Sequence, residues 1–126
     1  MTHQKRLGDW GEAEAQRYLE AMGYSFVERN FRVNEGEIDL IMTDGDIFVF
    51  VEVKTRISTA YGTPEESVST TKRKRLQLAA WIYLQQRDIS DAPWRIDVVA
   101  IEADHSQNIL RIEHYPSAFD IEFKSL

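Results

Sequence analysis

Apolar residues recur at helical intervals near the start of the chain. Leu7, Gly11, Ala15, Tyr18 and Met22 fall on one stripe, which predicts a helix over residues 5–22 with Gly23 as its C-terminal stop. Residues 24–33 alternate between apolar and polar and predict a strand. Two more strands are predicted at 36–42 (Gly-Glu-Ile-Asp-Leu-Ile-Met) and 47–54 (Ile-Phe-Val-Phe-Val-Glu-Val-Lys), with Asp44-Gly45 between them as a hairpin turn. Residues 55–69, rich in Ser, Thr, Gly and Pro, read as a loop, and loops that long in small domains are often functional. A second helix runs from Thr70 to Gln86, and strands follow at Trp94–Ile101 and Ile109–Tyr115. The order α-β-β-β-α-β-β predicts an α/β domain built as a mixed sheet flanked by helices. Nothing divides the chain, so residues 1–126 form one domain.

The hairpin sets its charged residues on one side. A two-residue turn at Asp44-Gly45 pairs Thr43 with Asp46, places Glu37 opposite Glu52, and leaves Asp39 diagonal to Glu52 at roughly 7–8 Å. Alternation then puts Glu37, Asp39, Glu52 and Lys54 on one face, with Ile38, Leu40, Met42, Ile47, Val49, Val51 and Val53 on the other. Ile41, Phe48 and Phe50 make the turn end of the charged face apolar as well. These are therefore central strands whose charges gather at one end. Carboxylates crowded there repel one another and lose solvation. A divalent cation with hard oxygen ligands removes the conflict, whereas a bland salt-bridge cluster would need Lys54 and Arg56 to neutralise the acids. Lys54 is the neutralising charge on that face. Glu12 lies about 20° from Leu19 and 60° from Ala15 at ~100° per residue, on or beside the buried stripe of the first helix.

Charge and composition modify this picture only locally. The net charge is −6, which opposes nucleic-acid binding. Yet Lys54, Arg56, Lys72, Arg73, Lys74 and Arg75 face only Glu65 and Glu66 in the middle of the chain, while the stretch from Asp88 onward holds eight acids and three bases. Residues 54–75 are thus the candidate phosphate-binding surface. Four cations at the start of a helix oppose its dipole, and a bound phosphate would offset that cost. The chain has no cysteine, which excludes disulfides and thiolate metal sites and fits a reducing cytoplasm. The first residues carry a basic pair with no apolar run behind it, and no segment is long enough to span a bilayer, so neither a secretory signal nor a membrane partner is expected.

Asp39 followed by Glu52-Val53-Lys54 at the end of the next strand resembles the PD-(D/E)XK nuclease motif, with Ile38 where the superfamily often has proline. Glu12 on the preceding helix resembles the arrangement of archaeal Holliday-junction resolvases in that superfamily. Over most of its length the chain resembles the uncharacterised bacterial YraN-like family. The matching pieces are Gly8-x-x-Gly11-Glu12-x-x-Ala15, Gly36-Glu37-Ile38-Asp39-Leu40-Ile41 and Phe50-Val51-Glu52-Val53-Lys54-x-Arg56. Gly62-x-Pro64-x-Glu66-x-Val68, Lys72-x-x-Arg75-Leu76 and Arg95-Ile96-Asp97-Val98-Val99 continue the match. The resemblance implies a restriction-endonuclease-like fold and a metal-dependent endonuclease acting on nucleic acid, foremost structured or branched DNA. It implies that Asp39, Glu52 and the Val53 carbonyl hold Mg²⁺ (or Mn²⁺), that Lys54 orients the attacking water or steadies the developing charge on phosphate, and that Glu12 joins the catalytic group.

The other chemistry-bearing residues read more plainly. A second Glu-x-Lys, Glu122-Phe123-Lys124, has no partner hairpin. Glu37 supports the site at most from outside. Asp97 is expected in a buried ion pair with Arg95 or Arg75. His3, His105 and His114 show no ligand spacing and read as surface residues. Trp10, Trp81, Tyr83 and Trp94 read as core, and Tyr61 is the candidate base-stacking residue. Two other readings compete with the enzyme: a non-catalytic nucleic-acid-binding module that keeps the fold, and an interaction protein with a satisfied charge cluster. One site per small domain suits a homodimer for paired cuts.

Overall fold

A computed structural model describes residues 3–58 and 69–118. Its elements are α1 (His3–Ala21), β1 (Ser25–Val33), β2 (Gly36–Asp44), β3 (Ile47–Ile57), α2 (Thr70–Gln86), β4 (Trp94–Ala103) and β5 (Ile109–Tyr115). The order is the expected α-β-β-β-α-β-β. The five strands form one mixed sheet in the spatial order β1-β2-β3-β4-β5. Neighbours are antiparallel except β3 and β4, which run parallel across the α2 crossover. Tyr61, the piece from Gly62 to Val68, and Glu122-Phe123-Lys124 lie outside the described residues. Among the described residues no helix is long and apolar enough to cross a membrane.

Local chemistry sets the helix ends. After α1, the Tyr24 amide donates to the Leu19 carbonyl and the Gly23 amide to that of Glu20, with Gly23 at φ +99°. That pattern is a Schellman motif, and only a residue without a Cβ enters it freely. Ser69 caps α2 by accepting from the Lys72 amide at 3.1 Å.

Each helix covers one face of the sheet. Ala15 and Leu19 of α1 pack on Leu40, Met42, Val49, Val51, Val99 and Ile101. Leu76, Ala79, Ala80, Tyr83 and Leu84 of α2 pack on Phe31, Ile38, Ile41, Phe50, Ile96 and Val98. Trp10 and Trp94 are half-buried against these layers and Tyr83 is buried. Trp81 departs from expectation: it is 53% exposed, because it stands two positions from both Ala79 and Tyr83 on the outer side of α2.

The hairpin differs from its sequence reading in register and in one alternation. The turn residues are Gly45 and Asp46, and the ladder runs from Asp44–Ile47 to Leu40–Val51. Gly45, at φ +61°, therefore occupies the first central position, where a II′ turn wants glycine, rather than the second. The shift is two residues, so parity is kept and Asp39 stays on the face of Glu52; extending the ladder brings it level with Glu52 instead of diagonal to it. Glu37 is no longer opposite Glu52. Ile38 packs with Ile41 rather than with Leu40 and Met42, so strict alternation breaks at Asp39. The strand β3 also outlasts its predicted end. Thr55, Arg56 and Ile57 pair with Ile101, Glu102 and Ala103 of β4, so the first residues of the expected loop are strand.

Two glycines let the helices approach the sheet near its charged end. A Cβ on Gly11 would meet Thr55 Oγ1 at 1.9 Å, and one on Gly36 would meet the Arg75 carbonyl oxygen at 2.5 Å. A Cβ on Gly8, one turn before Gly11, would meet no atom of the described residues within 4 Å. Urea unfolding should therefore give opposite signs on the same helix. Gly8→Ala should stabilise by up to about 1 kcal/mol through helix propensity. Gly11→Ala should destabilise by about 1–3 kcal/mol through overpacking. Equal effects would mean that α1 is not held at Thr55.

Candidate active site

The β2–β3 ladder stops at Leu40–Val51, and beyond it the strands part. The Val53 amide, past the last rung, donates to Asp39 Oδ2 at 2.8 Å. A side chain thus takes the place of a backbone carbonyl, which draws the Asp39 carboxylate into the gap. Around it lies a cavity of about 490 Å³ lined by Glu12 of α1, Asp39 of β2, Glu52 and Lys54 of β3, and Lys72 of α2. Helices on opposite faces of the sheet reach one cavity because the strands have separated there.

Burial dominates the electrostatics. Glu52 is 3% exposed. Its Oε1 lies 2.9 Å from Lys72 Nζ and 3.6 Å from Lys54 Nζ. Burial, and then repulsion from Glu52, push the Asp39 carboxyl up from 3.8 to about 8, against the opposing pull of the Val53 amide. Burial also raises Glu12, with the Asp9 charge adding to it. Burial and the nearby Lys72 amine hold Lys54 below its ordinary value. Lys72 moves the other way: burial lowers it, but its hydrogen bond and charge interaction with Glu52 prevail. One oxygen of this cluster, Glu12 Oε1, is buried and finds no hydrogen-bond partner among the described residues.

Asp39, Glu52, Lys54 and Glu12 are thus brought together, and Val53 and Arg56 line the same cavity. The cationic run 72–75 is not. Lys72 turns inward to Glu52, and Arg75 Nε donates to the Glu35 carbonyl at 3.2 Å. Arg73 is half-buried and Lys74 exposed. Glu37 lies outside, paired with Arg32 at 3.0 Å. Sequence reasoning looked to Lys54, with Arg56, to neutralise the acids, and placed Lys72 on the phosphate-binding surface instead. The signal was present, since Lys72 stands one turn before Leu76 and two before Ala79 on the buried stripe.

Asp97 is fully buried and paired with Arg95, not Arg75. Its Oδ1 accepts from Arg95 Nε at 3.0 Å and from the Ser117 amide at 2.9 Å, and Oδ2 lies 2.7 Å from His114 Nε2. His114 is accordingly no surface histidine: its side chain is 4% exposed, placed inward by the β5 register beside Val99. His105 is exposed as expected.

The raised Asp39 carboxyl gives a pH signature. An acid whose folded pKa exceeds its unfolded value contributes stability that is whole below the unfolded pKa and is lost as pH rises through the folded one. In chelator, the protein should lose stability through Asp39 as the pH rises from 3.8 to about 8. Asp39→Asn removes that slope. Urea unfolding of both proteins across this range should show the variant gaining on the wild type toward the alkaline end. Parallel curves would mean that Asp39 is an ordinary acid.

The profile of the uncharacterised protein family UPF0102 matches residues 11–101. A UPF0102 protein of Pelotomaculum thermopropionicum is 42% identical over 115 residues, covering 91% of this chain and 96% of its own. One from Geotalea daltonii is 45% identical over 120 residues, covering 94% and 93%. One from Symbiobacterium thermophilum is 47% identical over 98 residues, covering 78% and 83%. The family profile spans the residues that line the cavity from Glu12 to Lys72, and the chain belongs to the UPF0102, or YraN-like, family.

Proposed function

We propose that this chain is a metal-dependent endonuclease that hydrolyses phosphodiester bonds in nucleic acid, with structured or branched DNA as the substrate class and a PD-(D/E)XK arrangement as the catalytic core. The observation that carries the reading is the convergence of Asp39, Glu52, Lys54 and Glu12 on one cavity where β2 and β3 part. A structural cluster does not need three desolvated acids at a point where a backbone ladder has been given up.

The residues fit a divalent cation. The donors are all hard oxygens, Asp39 is raised by burial and then by a neighbouring acid, and Glu12 Oε1 is buried and unpartnered among the described residues. Among the described residues no three His, Cys, Asp or Glu side chains already stand as a metal-holding group. Mg²⁺ does not require one, because it commonly binds through one or two carboxylates and keeps several waters. Asp39 and Glu52 would hold it, and Mn²⁺ could replace it. When bound, the ion would polarise the scissile phosphate and lower the pKa of an attacking water. The chain's own residues do the rest. Asp39 is fixed against β3 by the Val53 amide, as a residue that would hold the cation has to be. Burial keeps Lys54 below its ordinary pKa, so the amine can hold or pass a proton at the attacking water or steady charge on phosphate. Glu12 closes the cavity from the α1 side.

The test is a panel of labelled branched and linear substrates with Mg²⁺ and Mn²⁺. Asp39→Asn and Glu52→Gln should each lower cleavage by at least about a hundredfold. Lys54→Ala should lose cleavage while still binding Mg²⁺ in calorimetry. Cleavage that survives all three substitutions would sink the assignment.

For the nucleic-acid surface, the pair to neutralise is the exposed Lys74 with its half-buried neighbour Arg73. Arg73→Ala with Lys74→Ala should weaken DNA binding. The double substitution should also reduce the slope of log affinity against log salt by up to about two units, at roughly 0.9 per phosphate contact. An unchanged slope would mean that these two cations are only solvated.

A further inference from the structure

Lys72 occupies a place that the proposed chemistry leaves unexplained. Its backbone starts α2: the Ser69 hydroxyl accepts from its amide. Its side chain runs along the core side of the helix and reaches Glu52 Oε1 at 2.9 Å, closer than Lys54 at 3.6 Å. Two ammonium groups therefore sit on one oxygen of a buried carboxylate, the carboxylate that a cation would use. A divalent ion and both amines cannot share that oxygen, because like charges at such distances in a poorly solvated site repel by several times RT.

One of the lysines has somewhere to go. Lys54 is on the strand itself, with its side chain 20% exposed. The Lys72 side chain is 41% exposed, and the residue also lines a second cavity of about 380 Å³ beside Arg32, Gly36, Ser69, Thr71 and Arg75. Of the residues lining the two cavities, Lys72 is the one they share. In the second cavity Arg75 Nε is engaged by the Glu35 carbonyl and Arg32 Nε by Glu37, so both guanidinium groups have local partners.

We infer that Lys72 holds the place of the metal's charge at Glu52, and that metal binding is an exchange in which the Lys72 amine leaves Glu52 for the neighbouring cavity. The inference rests on the metal site proposed above. Lys72 is then a positioning residue: it keeps the metal-free carboxylates together and weakens metal affinity by competing for Glu52. Its withdrawal adds a mobile cation to a cavity at the start of α2 that Glu37 and Thr71 also line.

The exchange has a readout separate from cleavage. Lys72→Met keeps the length of the side chain and removes its charge. Calorimetric titration with Mg²⁺, repeated with Ca²⁺, should show the variant binding on the order of tenfold more tightly than wild type, although its metal-free form melts lower. Lys72→Arg, which keeps the competing charge, should not tighten binding. A merely structural lysine would give the lower melting temperature without tighter binding. Should Lys72→Met fail to fold, acetylation of the wild-type protein decides the matter: Mg²⁺ should raise the modification rate of Lys72, read by mass spectrometry, several-fold. Unchanged or weaker metal affinity in the folded variant, or a labelling rate that metal leaves unchanged or lowers, overturns the exchange and leaves the metal site standing. If wild type takes up neither ion, the metal site itself falls, and the exchange with it.

Discussion

A carboxylate removed from water needs a positive partner, and three of them meet where β2 and β3 separate. The separation leaves the Val53 amide beyond the last rung of the ladder, and Asp39 satisfies it. That single hydrogen bond draws an acid to Glu52, and the rest of the site follows from the resulting charge. Lys54 arrives from the same strand and Lys72 from α2. The two close glycine contacts hold this gap from both sides. Gly11 lets α1 rest on Thr55, and Gly36 lets β2 rest on the first turns of α2, so each helix is anchored beside the acids it serves.

The parts legible in the sequence were those with a local cause. Period-2 runs gave the strands, the stripe through Ala15 gave α1, and the shared parity of Asp39 and Glu52 survived because the register moved by an even number of residues. Glu12 was legible because its angle to Leu19 on a helix is fixed by geometry. What escaped had a tertiary cause. Whether glycine enters the first or second central position of a two-residue turn depends on which register packs better, and the choice shifted every pair. The break in alternation at Asp39 arises because Ile38 is wanted by the α2 layer while Leu40 is wanted by the α1 layer. Strand β3 continues to Ile57 because β4 offers a parallel partner, which no feature of Thr55-Arg56-Ile57 announces.

The cationic run shows the same limit in its functional reading. Four consecutive charges look like one patch in the sequence, but a helix turns them through about 300° from first to last at ~100° per residue. One therefore faces the acids, one ties α2 to the β1–β2 turn, and Lys74 faces outward. The local field along the chain was informative about where charge concentrates, and silent about which way each charge would point.

Two aspartates separate structural burial from functional burial. Asp97 is fully buried, yet both of its oxygens are engaged by Arg95, the Ser117 amide and His114, and the Arg95 guanidinium is itself held by the Tyr24 hydroxyl at 2.5 Å. With both carboxylate oxygens satisfied, the network ties β4 to β5 and to the end of α1. Asp39 is less deeply enclosed but worse satisfied. It accepts one backbone bond, faces another acid, and is pushed to about 8. Glu12 beside it keeps a buried oxygen that no described residue meets. A fold retains such an arrangement at a cost in stability. Depth of burial would have chosen Asp97 as the functional acid. The unmet demand for positive charge chooses Asp39 and Glu12, and it places them in the same cavity as Glu52 and the two lysines.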